Sequence, residues 1–266
     1  MDNRPIGVFD SGLGGLTAVR ALRELLPEEN IIYFADSGRV PYGKRPVEQL
    51  RRMAVQDLDF VSSRGAKAII AACGTISSTA PDILRGWPVP AFGVLESPVR
   101  HISRMEDTGP IGVIATAASI QSGSFARALR AACPGRAVFP VACPDFVPLI
   151  ESGHCRADYE RVQETVEEYL RPLKEEGVSV LLLGCTHYGL IAGAIRDYLG
   201  EGTELVEASR CAAEDIGIYL RSNGLLGSGG ESRYFTSGSG AEFSAMASAF
   251  LGGGEIRAEE TPVMEV

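Results

Sequence analysis

The sequence is most informative first in what it lacks. No run of 18 or more apolar residues occurs in its 266 positions, so no membrane-spanning helix is expected. The opening Met1-Asp2-Asn3-Arg4-Pro5 leads into a short apolar run without the charged-then-apolar order of a secretory signal, and a cytoplasmic location is expected. Lysine and arginine form no block, and the formal net charge is −9, so nucleic acid is not an expected partner. Six cysteines, at 73, 133, 143, 155, 185 and 211, contain no C-x-x-C pair and are expected to be free thiols. The three histidines, His101, His154 and His187, are too scattered for a metal cluster, and no metal site is expected. Lysine occurs only at 44, 67 and 174, none in a setting that suggests a Schiff-base cofactor.

What is present is an ordinary globular composition, 45% hydrophobic and 22% charged, enough for one large core or two modest ones. Short β-branched runs alternate with amphipathic stretches, which is the pattern of βαβ units and a parallel sheet. Strands are expected near 6–9, 31–34, 68–72, 91–94, 111–115, 137–141, 178–183, 204–206 and 234–236. Leu16, Val19, Leu22 and Leu26 recur at helical spacing, as do Leu50, Ala54, Leu58 and Val61. Two further helices are expected over 212–220 and 243–251.

The chain also looks doubled. Ile6-Gly7-Val8 returns as Ile111-Gly112-Val113, 105 positions later. An apolar run ending in Cys73-Gly74-Thr75 returns as one ending in Cys185-Thr186, 112 positions later. The fold class expected is therefore α/β, with two similar domains of mainly parallel sheet related by a pseudo-two-fold and the active site in the cleft between them. Because the first half supplies only four strands, the tail is expected to return to it. That gives a discontinuous first domain, 1–97 with 208–266, and a second domain, 98–207.

Ligands of open α/β sheets bind outside the carboxyl ends of strands, so the residues just after each apolar run are the candidates. They are Asp10-Ser11-Gly12, Asp36-Ser37-Gly38 with Pro41-Tyr42-Gly43, Cys73-Gly74-Thr75, Thr116 with Ser119, and Cys185-Thr186-His187-Tyr188. The acidic overall field offers nothing to an anionic substrate, which leaves local backbone N–H groups to hold its carboxylates. The turn at Gly12–Gly15 does not have dinucleotide-binding spacing. A cysteine is by default a small buried hydrophobe, the reading that suits Cys133, Cys143, Cys155 and Cys211. Cys73 and Cys185 stand instead at strand ends before expected helix N-termini, where the macrodipole is expected to bring a thiol toward neutrality. His187 is either a general acid/base for Cys185 or a structural histidine, and Asp10 either a partner of a thiol or ammonium or a turn carboxylate.

Taken together, Ile6–Gly12 with Gly14-Gly15-Leu16-Thr17, Arg39-Val40-Pro41-Tyr42-Gly43, Cys73 with Thr75, Ala142–Leu149, and Gly184–Tyr188 resemble the bacterial glutamate racemases. The resemblance runs from about residue 5 to 222. It implies a cofactor-independent 1,1-proton transfer between L- and D-glutamate, with D-glutamate supplied to peptidoglycan synthesis. It further implies that Cys73 and Cys185 are the two acid/base residues, assisted by Asp10 and His187 respectively, with Glu151 supporting the histidine. Asp10, Ser11, Pro41, Tyr42, Gly43, Gly74, Thr75, Thr116, Thr186 and His187 match positions that hold substrate. The implied partner is the small-molecule substrate, and a homodimer is left open. The chain departs from the family pattern at Gly74, where Asn is usual, at Gly189 for Pro, and at Ser119 for Thr. An aspartate racemase or another enzyme of the superfamily is the nearest alternative. A two-domain amino-acid binding protein is the non-catalytic one, and it has no need of paired cysteines.

Overall fold

The computed structural model describes residues 1–42, 45–151 and 158–263. The chain divides into two compact units, Met1–Val94 with Ser209–Val266, and Leu95–Ala208. Each is an α/β layer structure around a parallel sheet.

The first unit holds β1 (Ile6–Asp10), β2 (Ile31–Ala35), β3 (Ala68–Ala71), β4 (Ala91–Gly93), β9 (Ser232–Thr236) and β10 (Ala258–Glu260), in the order β10-β9-β2-β1-β3-β4. The second holds β5 (Ile111–Ala115), β6 (Val138–Ala142), β7 (Val180–Leu183) and β8 (Glu204–Glu207), in the order β6-β5-β7-β8. Every pairing is parallel. Strands β1, β2, β3, β5 and β7 are buried along their whole length, which is why they read as unbroken apolar runs rather than alternating ones.

The two sheets repeat one topology, β2-β1-β3-β4 in the first and β6-β5-β7-β8 in the second. Registers match as well. Ile6 pairs with Ala68 and Ile31, and Ile111 with Val180 and Val138. Cys73 lies five residues beyond Ala68 and Cys185 five beyond Val180, so the two cysteines occupy equivalent positions past equivalent strands.

The repeat extends to the glycines. A Cβ on Gly7 would come within 2.9 Å of the Val61 side chain on the helix Val47–Ser63. One on Gly112 would meet Leu181 at 2.9 Å and Leu173 of the helix Tyr159–Glu175 at 3.3 Å. Glycine at these two places lets a long helix lie against the centre of each sheet. The apolar stripe Leu50, Ala54, Leu58 and Val61 packs there on Phe9, Phe34 and Ile69. Val162, Val166, Leu170 and Leu173 do the same on Ile114, Leu181 and Leu183.

All nine expected strands occur, with ends shifted by up to two residues, and β10 is an addition. Among the described residues, no helix is long and apolar enough to cross a membrane. Cys73, Cys133, Cys143 and Cys185 are free thiols. Gly43, Lys44, His154 and Cys155 lie outside the described residues.

Candidate active site

In the first unit the site begins where β1 ends. Asp10, its last residue, is buried, and its Oδ2 accepts hydrogen bonds from the backbone N–H of Gly12 at 3.2 Å and of Gly15 at 2.9 Å. The carboxylate is thus folded back onto the turn that follows it. The turn is closed from below by Tyr33, whose hydroxyl donates to the Gly12 carbonyl at 2.6 Å. A side chain at Gly15 would stand 2.6 Å from Asp10 Cβ and 2.8 Å from the Tyr33 oxygen. The need for glycine here is steric rather than conformational, since Gly15 has helical dihedrals, φ −64° and ψ −13°.

Cys73 follows β3 and caps the short helix Gly74–Thr79. It is 4% exposed. Burial, then the charge of Asp10, push its thiol up to about 12, against the opposing effect of hydrogen bonds from the Ile76 N–H, the Ser11 hydroxyl and the Thr75 N–H. The sequence-based expectation that a helix N-terminus brings this thiol toward neutrality is therefore reversed at Cys73. Desolvation and a like charge outweigh the backbone donors. Ser11 and Thr75 do meet at the sulfur, and Asp10 is its anionic neighbour. Gly74 opens the helix, its carbonyl accepting from Ser78 at 2.7 Å.

Pro41 and Tyr42 follow a cis Val40–Pro41 peptide bond. Tyr42 is buried, and its hydroxyl contacts Asp36 Oδ2 and, at 3.2 Å, Asp57 Oδ2. The phenol group is thus committed to the interior, and what this segment can present to a ligand is its backbone.

In the second unit, Cys185 precedes a 3₁₀ segment, Thr186–Ile191. Its Sγ lies 3.8 Å from Nδ1 of His187, and Nε2 of His187 lies 3.0 Å from Oε1 of Glu151, the last residue of the helix Phe146–Glu151. His187 is buried and Glu151 exposed. A carboxylate at Nε2 fixes a proton there, which leaves the Nδ1 lone pair facing the thiol. The three groups form a thiol–imidazole–carboxylate relay able to take a proton from sulfur and return it.

Thr186 is buried beside Cys185 in the sequence. Tyr188 donates to the Cys143 carbonyl at 3.0 Å, tying the 3₁₀ segment to the loop after β6. Thr116, after β5, occupies the place that Ser11 holds after β1. It caps the helix Ala117–Ser122, its Oγ1 accepting from the Ser119 N–H at 3.4 Å and lying 3.0 Å from the Ser119 hydroxyl. The doubled topology does not extend to the ionisable neighbours. The register equivalent of Asp10 is Ala115, and that of His187 is Thr75.

The sequence places Asp36 among the strand-end candidates and Arg39 in a family-like string without giving either a role, and it does not single out Asp57; all three surround Tyr42. A signal existed. Asp57 falls three residues after Ala54 and seven after Leu50, so a carboxylate sits on the buried stripe of its helix.

The model of the Asp/Glu/Hydantoin racemase family matches residues 16–216. The chain is similar to the glutamate racemase of Desulforudis audaxviator, with 38% identity over 271 residues, 98% of this chain and 97% of the relative. Its fold matches the crystal structure of glutamate racemase isoform RacE1 from Bacillus anthracis, with a TM-score of 0.90 and 31% identity over 99% of both chains. It also matches that of the Francisella tularensis glutamate racemase in complex with D-glutamate. The TM-score there is 0.86, with 34% identity over 99% of this chain and 98% of that one.

Proposed function

The chain belongs to the Asp/Glu/hydantoin racemase family and is an amino-acid racemase, and from that premise we propose that it interconverts L- and D-glutamate with Cys73 and Cys185 as the acid/base pair and no cofactor. The observation that carries the reading is the matched placement of the two thiols, five residues past equivalent registers, each with its own ionisable neighbour.

Inversion at carbon needs a base on one face and an acid on the other. In this reading the two thiols serve the two faces of the substrate Cα. The thiolate of one cysteine removes the α-proton, and the S–H of the other delivers a proton to the opposite face. The C–H electron pair left on Cα forms the new C–H bond, and the pair of sulfurs ends with its proton exchanged. The next turnover of the opposite enantiomer restores the starting state.

On the Cys185 side, His187 takes up the thiol proton at Nδ1 while Glu151 stabilises the imidazolium at Nε2. On the Cys73 side, burial and Asp10 make the thiolate strongly basic, which suits the removal of a weakly acidic α-proton. In this reading Asp10 pairs with the substrate ammonium, which would offset its repulsion of the Cys73 thiolate. Ser11, Thr75, Thr116 and Thr186 supply hydroxyls, and the backbone N–H groups of Tyr42, Gly74 and Thr75 are the donors available to the carboxylates. D-glutamate made in this way would serve peptidoglycan synthesis.

The test is incubation of the purified protein with L-glutamate in deuterium oxide, without added cofactor, followed by circular dichroism and by deuterium at Cα. Loss of optical activity with α-deuteration, abolished in both Cys73→Ala and Cys185→Ala, is the expected result. Turnover of aspartate without turnover of glutamate would overturn the substrate assignment.

A further inference from the structure

Around Tyr42, inside the first unit, lies a cluster of charge that the two-thiol chemistry does not use. Asp36, Arg39, Tyr42 and Asp57 are all buried. Arg39 donates from Nε to Asp36 Oδ2 at 2.6 Å, from Nη2 to Asp57 Oδ1 at 2.9 Å, and from Nη1 to Gln56 Oε1. Asp36 Oδ1 accepts from the Ser237 hydroxyl at 2.7 Å. The Tyr42 oxygen touches Asp36 Oδ2 and lies 3.2 Å from Asp57 Oδ2.

Counting protons decides the state of this cluster. Tyr42 has one hydroxyl proton and two carboxyl oxygens beside it. If both carboxyls were ionised, one contact would set two lone pairs against each other, and the group would carry two negative charges against one positive in a site without water-level screening. One carboxyl must hold a proton. Asp36 accepts from Arg39, Ser237 and Tyr42, which leaves Asp57 as the carboxyl with room to hold that proton. Asp57 then donates from Oδ2 to the Tyr42 oxygen, and Tyr42 donates onward to Asp36. Burial first and the Asp36 charge second hold the Asp57 carboxyl well above the usual carboxylate range; Arg39 and the Tyr42 contact oppose, and Asp10 adds a smaller push upward.

The cluster sits within the segment that the proposed reaction assigns to substrate. Between β2 and the helix Val47–Ser63 the described residues include the short 3₁₀ turn Ser37–Arg39 and no strand. Side chains do much of the rest. Arg45 brackets the Arg39 carbonyl at 2.9 and 2.7 Å, and Gly38 N–H donates to Ser237 Oγ at 2.9 Å. We propose that Asp57 is a positioning residue for the reaction: as a neutral acid it completes the proton chain Asp57–Tyr42–Asp36 and, with the Arg39 fork, fixes the Pro41–Tyr42 backbone that holds substrate. This rests on the glutamate racemase reading. It has an electrostatic consequence too, because a negative Asp57 would place another anion near Asp10 and Tyr42, and Tyr42 in turn interacts with Cys73.

The experiment compares full-length wild type, Asp57→Asn and Asp57→Ala. Asparagine reproduces the neutral acid, offering an N–H to Tyr42 and a carbonyl to Arg39, so Asp57→Asn is expected to keep KM and kcat within about twofold of wild type. Asp57→Ala leaves Tyr42 and Arg39 without a buried partner, and KM is expected to rise about tenfold with a smaller change in kcat. Infrared spectra of the wild type at neutral pH are expected to show a protonated-carboxyl C=O band that is absent in Asp57→Asn. The wild-type band is also expected to shift on ¹³C-aspartate labelling, a measurement that stands even if a variant fails to fold. A missing band, or Asp57→Asn as impaired as Asp57→Ala, would overturn the proposal. If the wild type turns over aspartate and not glutamate, the substrate reading fails while the same comparison is read on aspartate.

Discussion

The most direct test of the Cys73 environment is its alkylation as a function of pH. Only the thiolate reacts, so the rate follows the thiolate fraction. With the thiol pushed up to about 12, that fraction is about 10⁻⁴ at pH 8, whereas a free cysteine with a pKa of about 8.5 is roughly a quarter ionised there. The rate at Cys73, followed by mass spectrometry of its own peptide after short exposure to iodoacetamide, is expected to rise about tenfold per pH unit from pH 7 to 10, roughly a thousandfold in all. Burial slows the reaction at every pH alike, so the slope is free of the access problem. In Asp10→Asn the second-largest cause of the upward shift is gone, and the profile is expected to move to lower pH. In Ser11→Ala a donor to the sulfur is lost, and the profile is expected to move the other way. A wild-type rate that levels off by pH 9 would refute the account of burial and Asp10 as the dominant influences.

Further outcomes follow from the same geometry. A thiol raised from 9.0 to about 12 on folding contributes stability that is fully present below pH 9 and lost as pH climbs toward 12. The loss is on the order of 4 kcal/mol, and urea midpoints of wild type against Cys73→Ala at pH 8 and 10.5 isolate it from the other buried acids. Gly15→Ala forces a methyl group against Asp10 and Tyr33 and is expected to cost about 1–3 kcal/mol in denaturant unfolding, together with most of the activity. His187→Ala is expected to lower kcat about a hundredfold, and Glu151→Gln, which keeps an acceptor at Nε2 without its charge, about tenfold. Because the enantiomers are isoenergetic, kcat/KM must remain equal in the two directions in both variants. Gly74→Asn restores the amide that resemblance to the glutamate racemases associates with substrate and is expected to lower KM for glutamate.

The strands were legible in the sequence because central parallel strands are buried on both faces, so β1, β2, β3, β5 and β7 stand out as apolar runs. Strand β10 carries Ala258-Glu259-Glu260 at the edge of its sheet, half-buried at best, and no apolar pattern announces it. The helices Gly74–Thr79 and Pro81–Gly86 are too short to develop a period. At the site, strand-end position singled out Cys73 and Cys185, and the local spacing of Cys185 and His187 made that contact readable. The direction of the Cys73 shift was not, because it depends on how deeply the sulfur is buried and on Asp10, 63 positions away in the chain. Asp57 was hidden for the same reason. Its partners come from the β2 loop, and only its place on an apolar stripe hinted at them.

The doubling is faithful in backbone and unfaithful in chemistry, and the proposed reaction would give that difference a use. A base and an acid are needed at once, so a pair of thiols in identical surroundings would have no built-in preference for which one holds the proton. Here the cysteines share a register but not their neighbours. Cys73 faces a carboxylate carried by the strand beside it, while Cys185 faces an imidazole carried by its own loop. The equivalent positions, Ala115 and Thr75, cannot ionise near neutrality. With its thiol pushed up to about 12, Cys73 rests as S–H, the form that donates. In the proposed reaction His187, with Nδ1 3.8 Å from the Cys185 sulfur, would take the proton of that thiol. On this reading the free enzyme stands ready for one enantiomer, and turnover of the other begins only after a proton has been moved from Cys73 to a group that can hold it, for which Asp10 is the nearest ionisable candidate.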